Sequence, residues 1–222
     1  MAPSAIALLV AGVTPAHAVS AVEPCGQYAG EHEAGRRATA NAVGALGAAG
    51  KVSGLRGTRP SWPLGLVGSI SHAQGWAAAV VARSTYYGAI GLDLAASGAL
   101  PADDAVVVCS AVEQSVLAGL AIGPERDATA TLYWVGKEAA FKAWDSWCNG
   151  ALRGVDPVLL AVDIGASGAV LASPTPELAD RLPGLPPLSG RWADNCGLVV
   201  VTLTAPPQAV RSPIRDSPST RC

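Results

Sequence analysis

The stretch WVGKEAAFKAW at residues 134–144 constrains this chain most, because it sets Lys137, Glu138 and Lys142 among tryptophan, phenylalanine and valine side chains. Charged residues make up only 14% of the sequence, so three in so apolar a segment need a reason. Residues 131–146 read as a helix. At about 100° per residue, Tyr133, Trp134, Ala140, Phe141 and Trp144 fall on one arc that is expected to pack inward. Glu138 and Lys142, four apart, lie side by side at the edge of that arc, where an ordinary surface pair contributes about 0.2–0.5 kcal/mol. Lys137 falls inside the arc. An ammonium there must reach out to water or meet an anion, since an unpaired buried charge is strongly unfavourable.

Composition narrows what such a helix serves. At 222 residues and 50% hydrophobic, the chain has enough apolar surface for one large domain or two small halves. No run of about 18 apolar residues reads as a membrane span. The net charge is −2, and the basic residues form no block or aromatic-interleaved stripe, which argues against nucleic acid as a partner. Cysteines at 25, 109, 148, 196 and 222 include no C-x-x-C pair, so zinc spacing is absent, and their odd number and wide gaps in a chain this size argue against a disulfide framework. Free thiols in a reducing, cytoplasmic setting are expected.

Residues 1–18, MAPSAIALLVAGVTPAHA, carry two readings. An export signal is argued against by the missing basic n-region and by Pro15, and a first core strand is expected instead. Residues 31–46 predict a helix stopped by Gly47. LGLVGSISH and WAAAVVA flank the turn Ala73-Gln74-Gly75 and predict neighbouring strands. In YYGAIGLDLA, alternation puts Ile90, Leu92 and Leu94 on one face of a strand and Asp93 on the other. A helix over 111–120, the helix over 131–146, an alternating VLLAVDI, a Pro-rich loop and a last strand GLVVVTLTA complete an α+β pattern. The expected division is a half over 1–100, a half over 101–205, and a Pro/Ser/Arg-rich tail over 206–222 with little to bury, expected to be disordered. The similar content of the halves permits an internal duplication.

Singly, Asp93 reads as a strand carboxylate facing water, His72 as a core or turn histidine, and Arg36, Arg37, Arg56 and Arg59 as solvated charges. Their order is more specific. Gly91-Leu92-Asp93-Leu94-Ala95, followed roughly 40 residues later by Trp134-Val135-Gly136-Lys137-Glu138-Ala139-Ala140-Phe141-Lys142, resembles the G-x-D-x-E strand and the W-S-x-K-E-x-x-x-K helix of the 4'-phosphopantetheinyl transferase superfamily. The segment from Trp62-Pro63 to Ser71-His72, the Lys142-Ala143-Trp144 ending and Gly190-Arg191-Trp192 are similar to its enterobactin-pathway and actinobacterial subgroup. The resemblance covers about residues 8–205.

The resemblance implies two related α+β halves about a pseudo-twofold axis, with coenzyme A between them. It implies transfer of the phosphopantetheine arm of coenzyme A to a serine of an acyl or peptidyl carrier protein, releasing 3',5'-ADP. Such enzymes serve siderophore, polyketide, nonribosomal peptide and fatty-acid assembly lines, and a monomer is expected. Asp93 and Glu138 would hold Mg²⁺ against the pyrophosphate, and Glu138 would take the serine proton. Lys137 and Lys142 would contact phosphate oxygens, with Lys142 on the leaving group. His72, with Ser71 beside it, and Arg36 and Arg59 would hold coenzyme A phosphates.

Three positions depart from the pattern. Ala95 stands where a middle carboxylate is usual, Val135 stands for the serine before the lysine, and Ala40 stands for a second arginine. A degenerate relative that binds coenzyme A or a carrier protein without turnover is the alternative.

Overall fold

The computed structural model describes residues 3–25, 30–54, 59–195 and 197–208. Its first element is a helix, α1 (Pro3–Val13), which corrects the expected opening strand. Ile6, Leu9, Val10 and Val13 are the buried residues of this segment, and their i, i+3, i+4, i+7 spacing is helical. The apolar run therefore packs by one face into the core.

β1 (Ala18–Pro24), α2 (Glu31–Ala45), β2 (Leu66–Ala73) and β3 (Trp76–Arg83) follow. The expected hairpin is present: Ala73 opposes Trp76, and Gln74 and Gly75 both take positive φ, 52° and 75°, as a two-residue turn between twisted strands requires. The order β1-β3-β2 makes an antiparallel three-stranded sheet.

β4 (Ala89–Ala96), α3 (Ala111–Ala118), α4 (Pro124–Trp147), β5 (Leu160–Ile164), β6 (Ala169–Pro174), α5 (Pro176–Arg181), β7 (Leu188–Asn195) and β8 (Leu198–Ala205) form the remainder. α4 begins earlier than 131, with Gly123 before Pro124 as its start signal. β6, α5 and β7 occupy the stretch expected to be mainly loop. The antiparallel order β4-β8-β7-β6-β5 gives a five-stranded sheet. β4 precedes residue 100 yet pairs with β8, so this sheet draws strands from both sides of the 100/101 division. The architecture is α+β. Residues 209–222, most of the expected tail, lie outside the described residues, as do Arg56 and Cys196.

Three buried clusters organise these layers: a small one joins Ala42 and Val43 of α2 to Leu66 and Val81 of the three-stranded sheet, and two larger ones flank β4. On one face of β4, Ile90, Leu92 and Leu94 meet α1, Trp76 and Val80 of β3, and Leu198 and Val200 of β8. On the other face of the five-stranded sheet, α4 packs through Val135, Ala139, Ala140, Ala143 and Trp144. The arc expected to pack inward is displaced: Trp134 and Phe141 within it are only partly buried, whereas Val135, Gly136, Ala139 and Ala143 outside it are buried. α4 is a central helix between sheet and loops, apolar over most of its girth. Two glycines permit its close approach. A Cβ at Gly91 would stand 1.8 Å from the Ala139 carbonyl oxygen, and one at Gly136 would stand 3.0 Å from Val162 Cγ1.

Candidate active site

β2 and β4 are edge strands of their respective sheets and lie against each other, and α4 packs on β4 beside that seam, reaching β2 through Lys142. An edge leaves carbonyl groups unpaired. Lys142 of α4 meets that need: its ammonium donates to Leu92 O (3.1 Å), Ile70 O (3.4 Å) and Asp93 Oδ1 (2.6 Å). Asp93, on the helix-facing side of β4, is 7% exposed. The same Oδ1 accepts from Ser71 Oγ at 2.7 Å, and that hydroxyl accepts from Leu94 N at 3.3 Å. The strand glycine two residues before Asp93 is what lets α4 sit low enough for these contacts.

Glu138 lies one turn before Lys142 and makes no hydrogen bond or ion pair with a described residue. The expected Glu138–Lys142 surface pair is not formed, because Lys142 turns to Asp93. Burial pushes the Glu138 carboxyl above its ordinary range, the negative charge of Asp93 pushes it further, and Lys142 opposes both. Two carboxylates that repel each other, one with unused oxygens, suit a hard divalent cation. They would be two protein ligands, fewer than a complete metal site needs. Among the described residues no group of three or more His, Cys, Asp or Glu is placed to hold a metal, in keeping with Ala95.

Ser71 and His72 diverge as neighbours on a strand must. Ser71 points inward to Asp93 and is buried, so the expected contact of Ser71 with a coenzyme A phosphate is corrected to support of the carboxylate. His72 points outward to a groove of about 890 Å³ that it lines with Arg36, Ala40, Lys51, Ser53 and Ile70. This volume is within the about 300–1,000 Å³ typical of small-molecule sites. Ile70 also offers its carbonyl to Lys142, so the groove adjoins the carboxylate site. Arg37 is held by Glu23 and the Pro24 carbonyl.

Two expected contacts lie elsewhere. Lys137 is 1% exposed and pairs with Glu113 Oε2 at 2.8 Å, with further donation to Pro157 O (3.1 Å) and Leu160 O (2.5 Å). Its three N–H groups are thus all taken inside the protein, which corrects the expected phosphate contact. The anion its position demanded is Glu113 of α3, which also accepts from Ser110 N and Val162 N. The sequence held a signal for Glu113 in Ser110-x-x-Glu113, a capping box that the structure forms. Arg59 donates to the Asp145 carbonyl at 2.9 Å and lines a separate hollow with Asn149 and Arg153, outside the His72 groove. A larger hollow, about 1090 Å³, lies at the C-terminal end of α4 beside Trp147 and Leu182 and contains none of the expected residues.

The chain is similar in sequence to known proteins. A family model described as the 4'-phosphopantetheinyl transferase N-terminal domain matches residues 29–82, which include α2, β2 and all of β3 but Arg83. The 4'-phosphopantetheinyl transferase Svp of Streptomyces mobaraensis is 38% identical over 152 residues, covering 68% of this chain and 60% of that protein. The 4'-phosphopantetheinyl transferase Npt of Nocardia iowensis is 34% identical over 100 residues, 41% of this chain and 39% of that protein. The 4'-phosphopantetheinyl transferase PptT of Mycobacterium tuberculosis is 28% identical over 153 residues, 65% of this chain and 64% of that protein. The chain thus matches less than two thirds of the length of each of these relatives. With the Asp93–Lys142 seam, the neighbouring Glu138 and these matches together, the chain belongs to the 4'-phosphopantetheinyl transferase superfamily.

Proposed function

We propose that this protein transfers the 4'-phosphopantetheine arm of coenzyme A to a serine of an acyl or peptidyl carrier protein. The observation that carries the reading is the seam itself, where Asp93, Glu138 and Lys142 converge beside the groove lined by His72 and Arg36. The serine oxygen attacks the phosphorus that bears the pantetheine arm. A new P–O bond forms, the pyrophosphate P–O bond breaks, and 3',5'-ADP leaves.

Glu138 is suited to receive the serine proton, since burial and Asp93 raise its proton affinity above that of a free carboxylate. Lys142 would shift part of its donation from the strand carbonyls to the pyrophosphate, opposing the charge that gathers on the leaving group. Ser71 keeps Asp93 in place meanwhile. Arg36 and His72 are suited to the phosphates in the groove. Asp93 and Glu138 would hold Mg²⁺, which when bound supplies charge neutralisation along the pyrophosphate. A reducing, cytoplasmic setting suits the free thiols of Cys25, Cys109 and Cys148 among the described residues, and a monomer completes the proposal.

Intact mass of an apo carrier protein incubated with this protein, coenzyme A and Mg²⁺ tests the reading. A gain equal to one phosphopantetheine arm is expected. The alternative, a relative that binds coenzyme A without turnover, is favoured by the buried Ala95 at the vacant ligand position. It predicts coenzyme A binding with no mass gain on any carrier, with Mg²⁺ or Mn²⁺.

A further inference from the structure

Two of the basic side chains that line the groove, His72 and Arg36, already face a carboxylate from the same groove; Arg37 is held by Glu23, and Lys51 has no ion pair with a described residue. His72 Nδ1 lies 3.2 Å from Glu31 Oε2, and the Arg36 guanidinium bonds Glu33. The two carboxylates come from the first turn of α2, and all four residues line the same groove. The N-cap of α2 is Gly30, which offers no side-chain oxygen, so the glutamates are also the negative charges that offset the positive end of this helix. The Arg36 hydrogen bond holds the Glu33 carboxyl below its ordinary range, and Glu33 is fully ionised at neutral pH.

An entering phosphate must displace these carboxylates. Once displaced, they remain in the groove and repel the ligand. The pairs are about half exposed, so they contribute little to holding the cations in one geometry, and repulsion outweighs pre-organisation.

We propose that Glu31 and Glu33 are built-in phosphate mimics that limit the affinity of the groove and set its response to the number of phosphates on a nucleotide-type ligand. The inference rests on the reading of this groove as the coenzyme A site. Exposed pairs couple weakly, so each carboxylate is expected to alter the Kd by about two- to fivefold.

Calorimetric titration of the full chain without divalent metal tests it, using coenzyme A and dephospho-coenzyme A against the native protein, Glu31→Gln and Glu33→Gln. Each substitution is expected to tighten coenzyme A binding by about two- to fivefold at low salt. The gain should be smaller for dephospho-coenzyme A, which lacks the 3'-phosphate, and should vanish at about 1 M salt, where charges are screened over about 3 Å. Measurable native binding that the substitutions leave unchanged or weaken overturns the mimic role and leaves the transferase reading intact. A gain equal for both ligands, or insensitive to salt, also overturns it, because that marks a loosened groove and not removed repulsion. Absence of binding in all three proteins overturns the groove assignment and the inference together.

Discussion

Lys142 Nζ stands 2.6 Å from Asp93 Oδ1, which ties the central helix to the edge of the five-stranded sheet and leaves Glu138, one turn earlier, without a hydrogen bond to any described residue. The lysine therefore has a structural role at rest and a charge-stabilising one in the proposed transfer.

Asp93→Asn and Lys142→Ala are each expected to lower kcat for carrier modification by about 10²–10³, the usual effect of losing one group that stabilises developing charge. Steady-state assays on one apo carrier check this. Near-native turnover in either variant would remove the seam as the reacting centre.

Glu138→Gln should abolish transfer and yet raise the melting temperature at neutral pH. The folded-state proton affinity of Glu138 is raised, so its stabilising contribution is fully present below the unfolded value of about 4.3 and is lost as pH rises through the folded value. Glutamine stays neutral throughout. Melting curves should show the variant above the native protein near pH 7 and close to it near about pH 4. The same difference at both values would contradict this picture.

Lys137→Met is expected to cost about 3–5 kcal/mol, because it strands the Glu113 carboxylate, 4% exposed, without its cation. Urea unfolding measures the loss. The double variant Lys137→Met with Glu113→Gln should recover part of it. If Lys137 instead served a ligand, the single variant would bind coenzyme A weakly at unchanged stability.

Gly91→Ala should destabilise by about 1–3 kcal/mol or more, since the added methyl would overlap the Ala139 carbonyl oxygen at 1.8 Å. Forcing β4 away from α4 also separates Asp93 from Lys142. Transfer should fall further than coenzyme A binding, a split that kinetics and calorimetry resolve.

Ala95 lies two residues from Asp93 on the same strand face, where it packs into the α4-side core. Ala95→Glu is expected to increase the upward shift in melting temperature that Mg²⁺ produces, by adding a third carboxylate. No increase would mean that position 95 does not face the ion.

The sequence made α2, the β2–β3 hairpin, β4 and β8 legible because each combines a sustained apolar period with a glycine-marked turn or stop. It was misleading for α1, whose short apolar run suits a strand as well as a helix until the spacing of Ile6, Leu9, Val10 and Val13 is weighed. β6 and β7 were missed because proline and glycine near their ends read as loop. The candidate site divides in the same way: Asp93, Glu138 and Lys142 were marked by their order, and the structure brings them together.

What order along the chain could not decide is which partner each charge finds. Lys137 and Lys142 lie on one helix five residues apart, yet one is enclosed with Glu113 and the other spans the seam to Asp93. Local sequence determined that α4 would carry both ammonium groups on a largely apolar helix. Only the packing of that helix against β4 and α3, with β2 beside it, decided which would be buried as structure and which left partly exposed beside a groove. The physical reason is that a buried charge must be paired, and its partner is supplied by whichever element the tertiary fold brings within reach.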